Sequence, residues 1–321
     1  MEVKKIIRRL IKRFFGIDGI SLFVRKQKKR ILKKIYTKGF TADDLVNEMC
    51  KMGMTRGSVV FVHSAMTEFY NYKGSAVELI ERIIEVIGEE GTLMMPAYPK
   101  DKSALLKSAR RNTEGILFDV NNTPSGAGYL SEVFRTFPGV RRSVNIQHSV
   151  CAYGKLAEHF VGEHHLSEVA WDRYSPYYKL AHTSGLIFSF GLDSYLRNVT
   201  LIHCTESFFR NKYAYFSSFF GDEIEYSFLD HEGRIGHHKM ILPIKGGVRS
   251  AKIIKTHFDK SKFLRKRLSN LNIEVINSDY MFNRCVELTE KGISIYTKPD
   301  ASDFILNGEF LKTNRENGEE Y

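Results

Sequence analysis

The sequence predicts an α/β fold: a mostly parallel central sheet with flanking helices and an antiparallel excursion after about residue 213. Three observations carry that expectation. Apolar runs over residues 59–62 and 91–96 bracket a capped helix, the spacing of a βαβ unit whose two strands lie parallel. A third run, Leu186-Ile-Phe-Ser-Phe190, stops at Gly191, as a buried strand would. Beyond Tyr213 the pattern changes to alternating segments over 213–219, 224–229 and 237–242, split by Gly221-Asp222 and Glu232-Gly233. Such alternation belongs to antiparallel strands with one face solvated.

Taken in order, the chain opens with a basic arm. Residues 1–38 hold 14 Lys and Arg against Glu2 and Asp18, a balance of +12, so the remainder of a chain with net charge +11 sums to −1. The body is near neutral, which excludes reading the whole-chain pI as a nucleic-acid footprint. Within residues 1–15, Val3, Ile6, Leu10 and Phe14 recur at helical spacing opposite Lys5, Arg8, Arg9 and Lys12. A helix with one apolar and one cationic face can lie on an anionic membrane surface, dock on its own domain or a second subunit as in a homodimer, or bind nucleic acid. The first two are the readings carried forward.

Thr41 then caps a short helix that ends near Gly53, with Asp43 and Asp44 in its first turn. Residues 59–62 form a strand that delivers His63, Ser64, Ala65 and Met66 at its carboxyl end. Ser75-Ala-Val-Glu78 is a capping box, and Gly88 closes the helix it starts. The following strand delivers Pro96-Ala97-Tyr98, again at a carboxyl end, where open α/β sheets place their ligands. A helix over 129–137 and a proline-initiated helix at Ser175-Pro176 lead back to the sheet at Leu186. Residues 39–306 make one domain, and the tail 307–321 reads as frayed. Four widely spaced cysteines show no zinc or redox spacing, and no stretch looks like a signal peptide or membrane span. A cytoplasmic protein, at most peripheral on the inner face of the membrane, is the expectation.

After Gly191 the chain offers Asn198 and Thr200 as helix-start residues, then Leu201-Ile-His-Cys-Thr-Glu206. On a helix His203 and Glu206 share a face, with Thr200 one turn earlier. A base, a carboxylate able to orient it and a hydroxyl near a strand end make a plausible proton-transfer site, although a lone His-x-x-Glu is more often a surface pair. His164-His165 and His237-His238 lack an accompanying carboxylate pattern, so no metal is expected.

The order of the motifs resembles the aminoglycoside 3-N-acetyltransferase family. The segments that carry the likeness are Val60-Phe-Val-His-Ser-Ala-Met66, Glu89-Glu-Gly-Thr-Leu-Met-Met-Pro96, Gly128-Tyr-Leu-Ser-Glu-Val-Phe-Arg135, Pro138-Gly-Val-Arg-Arg-Ser143, His148-Ser-Val-Cys-Ala-Tyr-Gly154 and Thr200-Leu-Ile-His-Cys-Thr-Glu206. The resemblance implies acetyl-CoA as donor and an amine on a sugar ring as acceptor. It implies His203 and Glu206 as the catalytic pair, and the His63–Met66 loop as the approach to the pantetheine and thioester. One departure stands out: the family pattern Arg-Ser-x-His-Pro is here Arg142-Ser143-Val144-Asn145-Ile146.

The chemistry expected is direct transfer. An amine must lose a proton before it can attack a thioester, and an imidazole, ordinarily titrating near ~6.5, is suited to take it. Glu206 would fix the His203 tautomer, Thr200 would hold water or the acceptor, and backbone N–H groups of residues 63–66 would face the oxyanion. Lys73, Arg142 and Ser143 complete the CoA candidates; Tyr98, Asn145, His148 and Asn198 are the candidates for the acceptor. Two acceptors compete, an aminoglycoside antibiotic and a nucleotide- or lipid-linked amino sugar of surface-glycan assembly, and the arm with the missing His-Pro favours the second. A non-catalytic membrane- or partner-binding module on the same fold is the rival class. A hydrolase using Ser64 and His203 lacks the Gly-x-Ser-x-Gly elbow.

Overall fold

Thr41 and Ser75 each close a reciprocal capping box, on Asp44 and Glu78, and so fix the starts of the helices Ala42–Lys51 and Ala76–Ile87. In the computed structural model, which describes residues 27, 30–111, 115–192, 199–244, 248–298 and 300–313, these helices pack together over one face of a seven-stranded sheet. The basic arm over 1–15 and Asn198 lie outside the described residues.

The sheet is built on β1 (Val59–Ser64), β2 (Thr92–Pro96) and β6 (Leu186–Phe190), with β1 paired parallel to both others. Outside this parallel centre every pairing is antiparallel. On one flank β2 meets β5 (Val150–Gly154), which meets the two-residue edge strand β4 (Arg141–Arg142). On the other, β6 meets β11 (Leu271–Asn277), which meets β10 (Phe263–Leu268). Val59 and Phe61 of β1 enter one apolar core while Val60 and Val62 enter the other, so the strand is covered on both faces. That is why it reads as an unbroken apolar run rather than an alternating one.

The antiparallel excursion is a three-stranded sheet in which β7 (Phe220–Leu229) pairs with β8 (Ile235–Pro243) and lies parallel to β3 (Ile116–Asp119). Residues 213–219 are not its first strand. Ala214–Ser217 is a turn of helix, because Tyr215, Phe216 and Phe219 all have to reach one aromatic cluster, which alternation would divide between two faces. Phe310 stacks on Tyr215 in the same cluster at a centroid distance of 5.3 Å. The expected frayed tail therefore does not begin at 307: Glu309–Phe310 pairs with Ile305–Leu306, and Thr313 donates to the Lys212 carbonyl. Among the described residues no helix is long and apolar enough to cross a membrane.

Candidate active site

β6 ends at Gly191, whose φ of +70° belongs to the left-handed region, and a Cβ there would fall 2.7 Å from the Glu68 Cβ. The chain returns at Val199 and enters a 3₁₀ turn, Thr200–His203, which runs into the helix Cys204–Phe209. The expected continuous helix capped by Thr200 is thus a tighter turn followed by a helix, and the Thr200 hydroxyl bonds the Tyr98 hydroxyl instead of a backbone N–H. The two geometries still bring the same pair together. His203 Nδ1 lies 2.7 Å from Glu206 Oε1, with Glu206 about 1% exposed beneath it.

Four further segments close around this pair. Trp171, the only tryptophan of the chain, stacks on the His203 ring at 4.5 Å and 16°. His148 lies tilted against Trp171 at 4.8 Å and against His203 at 6.3 Å, and Tyr98 meets His148 edge-on at 5.1 Å. From the short strand Val248–Arg249, the Arg249 guanidinium places Nη1 3.2 Å from His203 Nε2 and 3.3 Å from the Val199 carbonyl. An N–H directed at Nε2 and a carboxylate at Nδ1 together select the tautomer with its proton on Nδ1 and its lone pair on Nε2. That is the form able to accept a proton.

Burial sets the remaining charges. His63, at the end of β1, is pushed down to about 3 by burial and then by the Arg249 charge, so it is neutral. His148 is held well below the ordinary range, first by burial and then by Lys102, His203, His164 and Arg249. Lys102 lies over the Tyr98 ring at 5.8 Å, and its own pKa is lowered by burial. His63 Nε2, His148 Nδ1 and Trp171 Nε1 are buried without a hydrogen-bond partner. The orphaned nitrogens of His148 and Trp171, whose rings touch, are what a site for a polar ligand leaves behind.

Several expected site residues have other tasks. Arg142 is 2% exposed; its guanidinium donates to the Ala97 and Thr123 carbonyls and to Ser149 Oγ, and lies 4.8 Å over Phe118. Burial lowers it to about 10, and no face is left for a phosphate. Ser143 Oγ is fully buried, pairing with His164 Nδ1 at 2.8 Å and accepting from Val150 N–H. Asn145 is buried too: its Oδ1 accepts from the N–H groups of Gln147 and His148, shaping the turn that presents His148. Lys73 is exposed beside Gly39 and Phe40, with no contact to the His203 cluster among the described residues. The Ala65 N–H is bonded to the Phe190 carbonyl and so is not available to an oxyanion. Ser64 and Met66 are half-buried at the strand end. His164 and His238 are engaged in buried hydrogen bonds to Ser143 and Ala170, and to Tyr226 and Ser167. Cys204 is buried, and burial raises its thiol well above the ordinary range, which keeps it protonated.

Arg249 and Trp171 went unassigned in the sequence reading. Arg249 sits 46 positions after His203 with no motif around it, so only the fold joins them. A lone tryptophan just before the proline-initiated helix at Ser175-Pro176 was the one available signal for Trp171. A cleft of about 410 Å³ lies elsewhere, between β4 and the β7–β8 turn, lined by Arg141, Glu158, His231 and Arg234. Its charges pair among themselves, and His203 is not part of it.

Known proteins show the same arrangement of chain. The fold is similar to that of AAC-IIIb in its binary complex with CoASH, at a TM-score of 0.65 and 21% identity over 80% of this chain and 98% of that one. It is also similar to aminoglycoside acetyltransferase AAC(3)-Xa, at 0.64 and 17% over 84% and 99%. In sequence, the YokD aminoglycoside N(3')-acetyltransferase-like protein of Bacillus subtilis (strain 168) is 28% identical over 48% of this chain and 60% of its own. Aminoglycoside N(3)-acetyltransferase IX of Micromonospora chalcea is 25% identical over 52% and 62%. The matches thus span about three-fifths of the curated relatives' length. Residues 61–290, which include every site element described above, match the family as a whole, and the chain belongs to the aminoglycoside 3-N-acetyltransferase family.

Proposed function

We propose that this protein is an acetyl-CoA-dependent N-acetyltransferase that acylates the amine of an amino sugar by direct attack, with His203 as general base. The observation that carries the reading is the Glu206–His203 pair at 2.7 Å, with Nε2 against the Arg249 guanidinium and the ring flanked by Trp171 and His148. The amine displaces the Arg249 N–H from Nε2 and gives up its proton there as its nitrogen bonds the thioester carbon. The C–S bond then breaks, and the proton passes from Nε2 to the sulfur of CoA. Glu206, buried and fixed, stabilises the imidazolium between these two steps. His63 and His148 offer unpartnered nitrogens to the carbonyl oxygens of acetyl-pantetheine, which fits that co-substrate.

The acceptor we favour is an amino sugar of surface-glycan assembly, nucleotide- or lipid-linked. Asn145-Ile146 in place of the family His-Pro supports it, because Asn145 is buried and engaged with backbone. The aminoglycoside antibiotics named for the relatives are the second reading. Thiol release from acetyl-CoA over both acceptor classes separates them, and His203→Ala should lower it by a factor of ~10² or more while CoA binding persists. Undiminished turnover in that variant would remove the general base. The basic arm over 1–15 is proposed to hold the enzyme on an anionic membrane surface. Equal liposome flotation of the full chain and of residues 41–321 would remove that role.

A further inference from the structure

We infer that the acceptor carries an anionic group, a phosphate or carboxylate, next to its reacting amine, and that Arg249 is the residue that takes it. The inference rests on the N-acetyltransferase reading and names the substrate class of that site. Arg249 is half-buried, yet among the described residues it has no carboxylate partner; its hydrogen-bonding contacts there are a carbonyl and an imidazole nitrogen, both through Nη1. Glu206 balances its charge from the far side of the imidazole but is bonded to Nδ1, so the hydrogen-bonding edge of the guanidinium is left for an arriving anion. Its Nε and Nη2 present the planar fork that suits a carboxylate or phosphate.

The surroundings have the same sign. Lys102 is the other cation of the cluster, lying over Tyr98, while His63 and His148 are neutral. The acid at the centre, Glu206, is buried under His203 and bonded to it. Asp172, next to Trp171, is turned into its own loop, where it accepts from the N–H groups of Glu168, Val169 and Tyr174. A polycation would bring ammonium groups against Arg249 and Lys102. The phosphates of CoA do not satisfy Arg249 either, since the pantetheine arm separates them from the thioester that must meet Nε2. The remaining anion is on the acceptor. Trp171 adds a buried, unpartnered N–H donor on the ring that stacks on His203.

Trp171 also supplies the readout, because it is the only tryptophan and lies on the base. The full chain is titrated with glucosamine 1-phosphate, whose phosphate neighbours the C2 amine, and with glucosamine and kanamycin, following Trp171 emission for Kd and thiol release from acetyl-CoA for kcat/KM. The wild type should prefer the phosphorylated sugar over glucosamine by at least about tenfold, and over kanamycin by more. Arg249→Gln should lower the phosphate-to-neutral ratio by about 10- to 100-fold, through Kd and KM, with Arg249→Lys between the two. A wild-type ratio near one, or a preference for kanamycin, would overturn the inference. So would an Arg249→Gln loss in kcat that leaves the ratio unchanged, which would mean that Arg249 serves the oxyanion common to all acceptors. Silence of both signals with every acceptor, while CoA still binds, would instead sink the N-acetyltransferase reading and this inference with it.

Discussion

Replacing Glu206 by Gln keeps the shape of the buried side chain and removes only its charge. The imidazolium formed when His203 takes a proton lies against that carboxylate, with 2.7 Å between Nδ1 and Oε1. Taking the charge centres as about 4 Å apart in an effective dielectric of about 20, the Coulomb term is about 4 kcal/mol. Because that charge develops as the amine gives up its proton, nearly all of the term appears in kcat, a loss of ~10³. The amide adds a second fault. Its NH₂ can donate to Nδ1 and push the imidazole proton to Nε2, where it would face the Arg249 N–H and have no lone pair for the amine. The assay is thiol release under saturating acetyl-CoA, with CoA affinity by calorimetry and the melting temperature as controls. A kcat within tenfold of wild type, in a protein that folds and binds CoA normally, would refute the assignment of Glu206 as the partner of a general base.

Arg142→Lys tests whether that residue holds the fold or the donor: with three neighbours left short of donors, stability should fall by about 2–4 kcal/mol in denaturant melts, with CoA affinity unaltered. Normal stability with weakened CoA binding would return Arg142 to the CoA site. Acid should destabilise the protein through its buried neutral histidines. His63 and His164 are lowered to about 3 and His238 to about 4, so the unfolded chain binds protons that the folded chain refuses. Their contribution is complete above about pH 6.5 and is lost as the pH falls toward those values, at up to about 1.4 kcal/mol per unit for each imidazole. Urea midpoints that stay level from pH 7 to 5 would contradict this.

The parts of this molecule that sequence could reveal are those with local causes. The two capping boxes, Ser175 with Pro176, and the strand Leu186–Phe190 announce themselves because each is fixed by neighbours in the chain. His203 and Glu206 were legible for the same reason, three residues apart whether the turn is 3₁₀ or α. Arg142 and Asn145 misled because a charge or amide near a strand end looks alike whether it faces solvent or carbonyls; only the fold settles which. The helical turn at Ala214–Ser217 was hidden because its aromatic cluster is completed by Phe310, almost a hundred residues later. Arg249 was hidden for a like reason, 46 positions from His203. Such long-range pairings leave no period in the sequence to read.

The position of β11 between β6 and β10 has a bearing on how the protein is made. β6 sits beside β1, but its second neighbour, Leu271–Asn277, is translated some eighty residues after it. For that interval a growing polypeptide presents Leu186-Ile-Phe-Ser-Phe190 as an open apolar edge, the kind of template that recruits strands from other chains. Pauses or truncations falling between residues 190 and 271 would prolong that exposure. The loop that carries His203 is therefore attached to a strand whose second edge stays open for some eighty residues of synthesis.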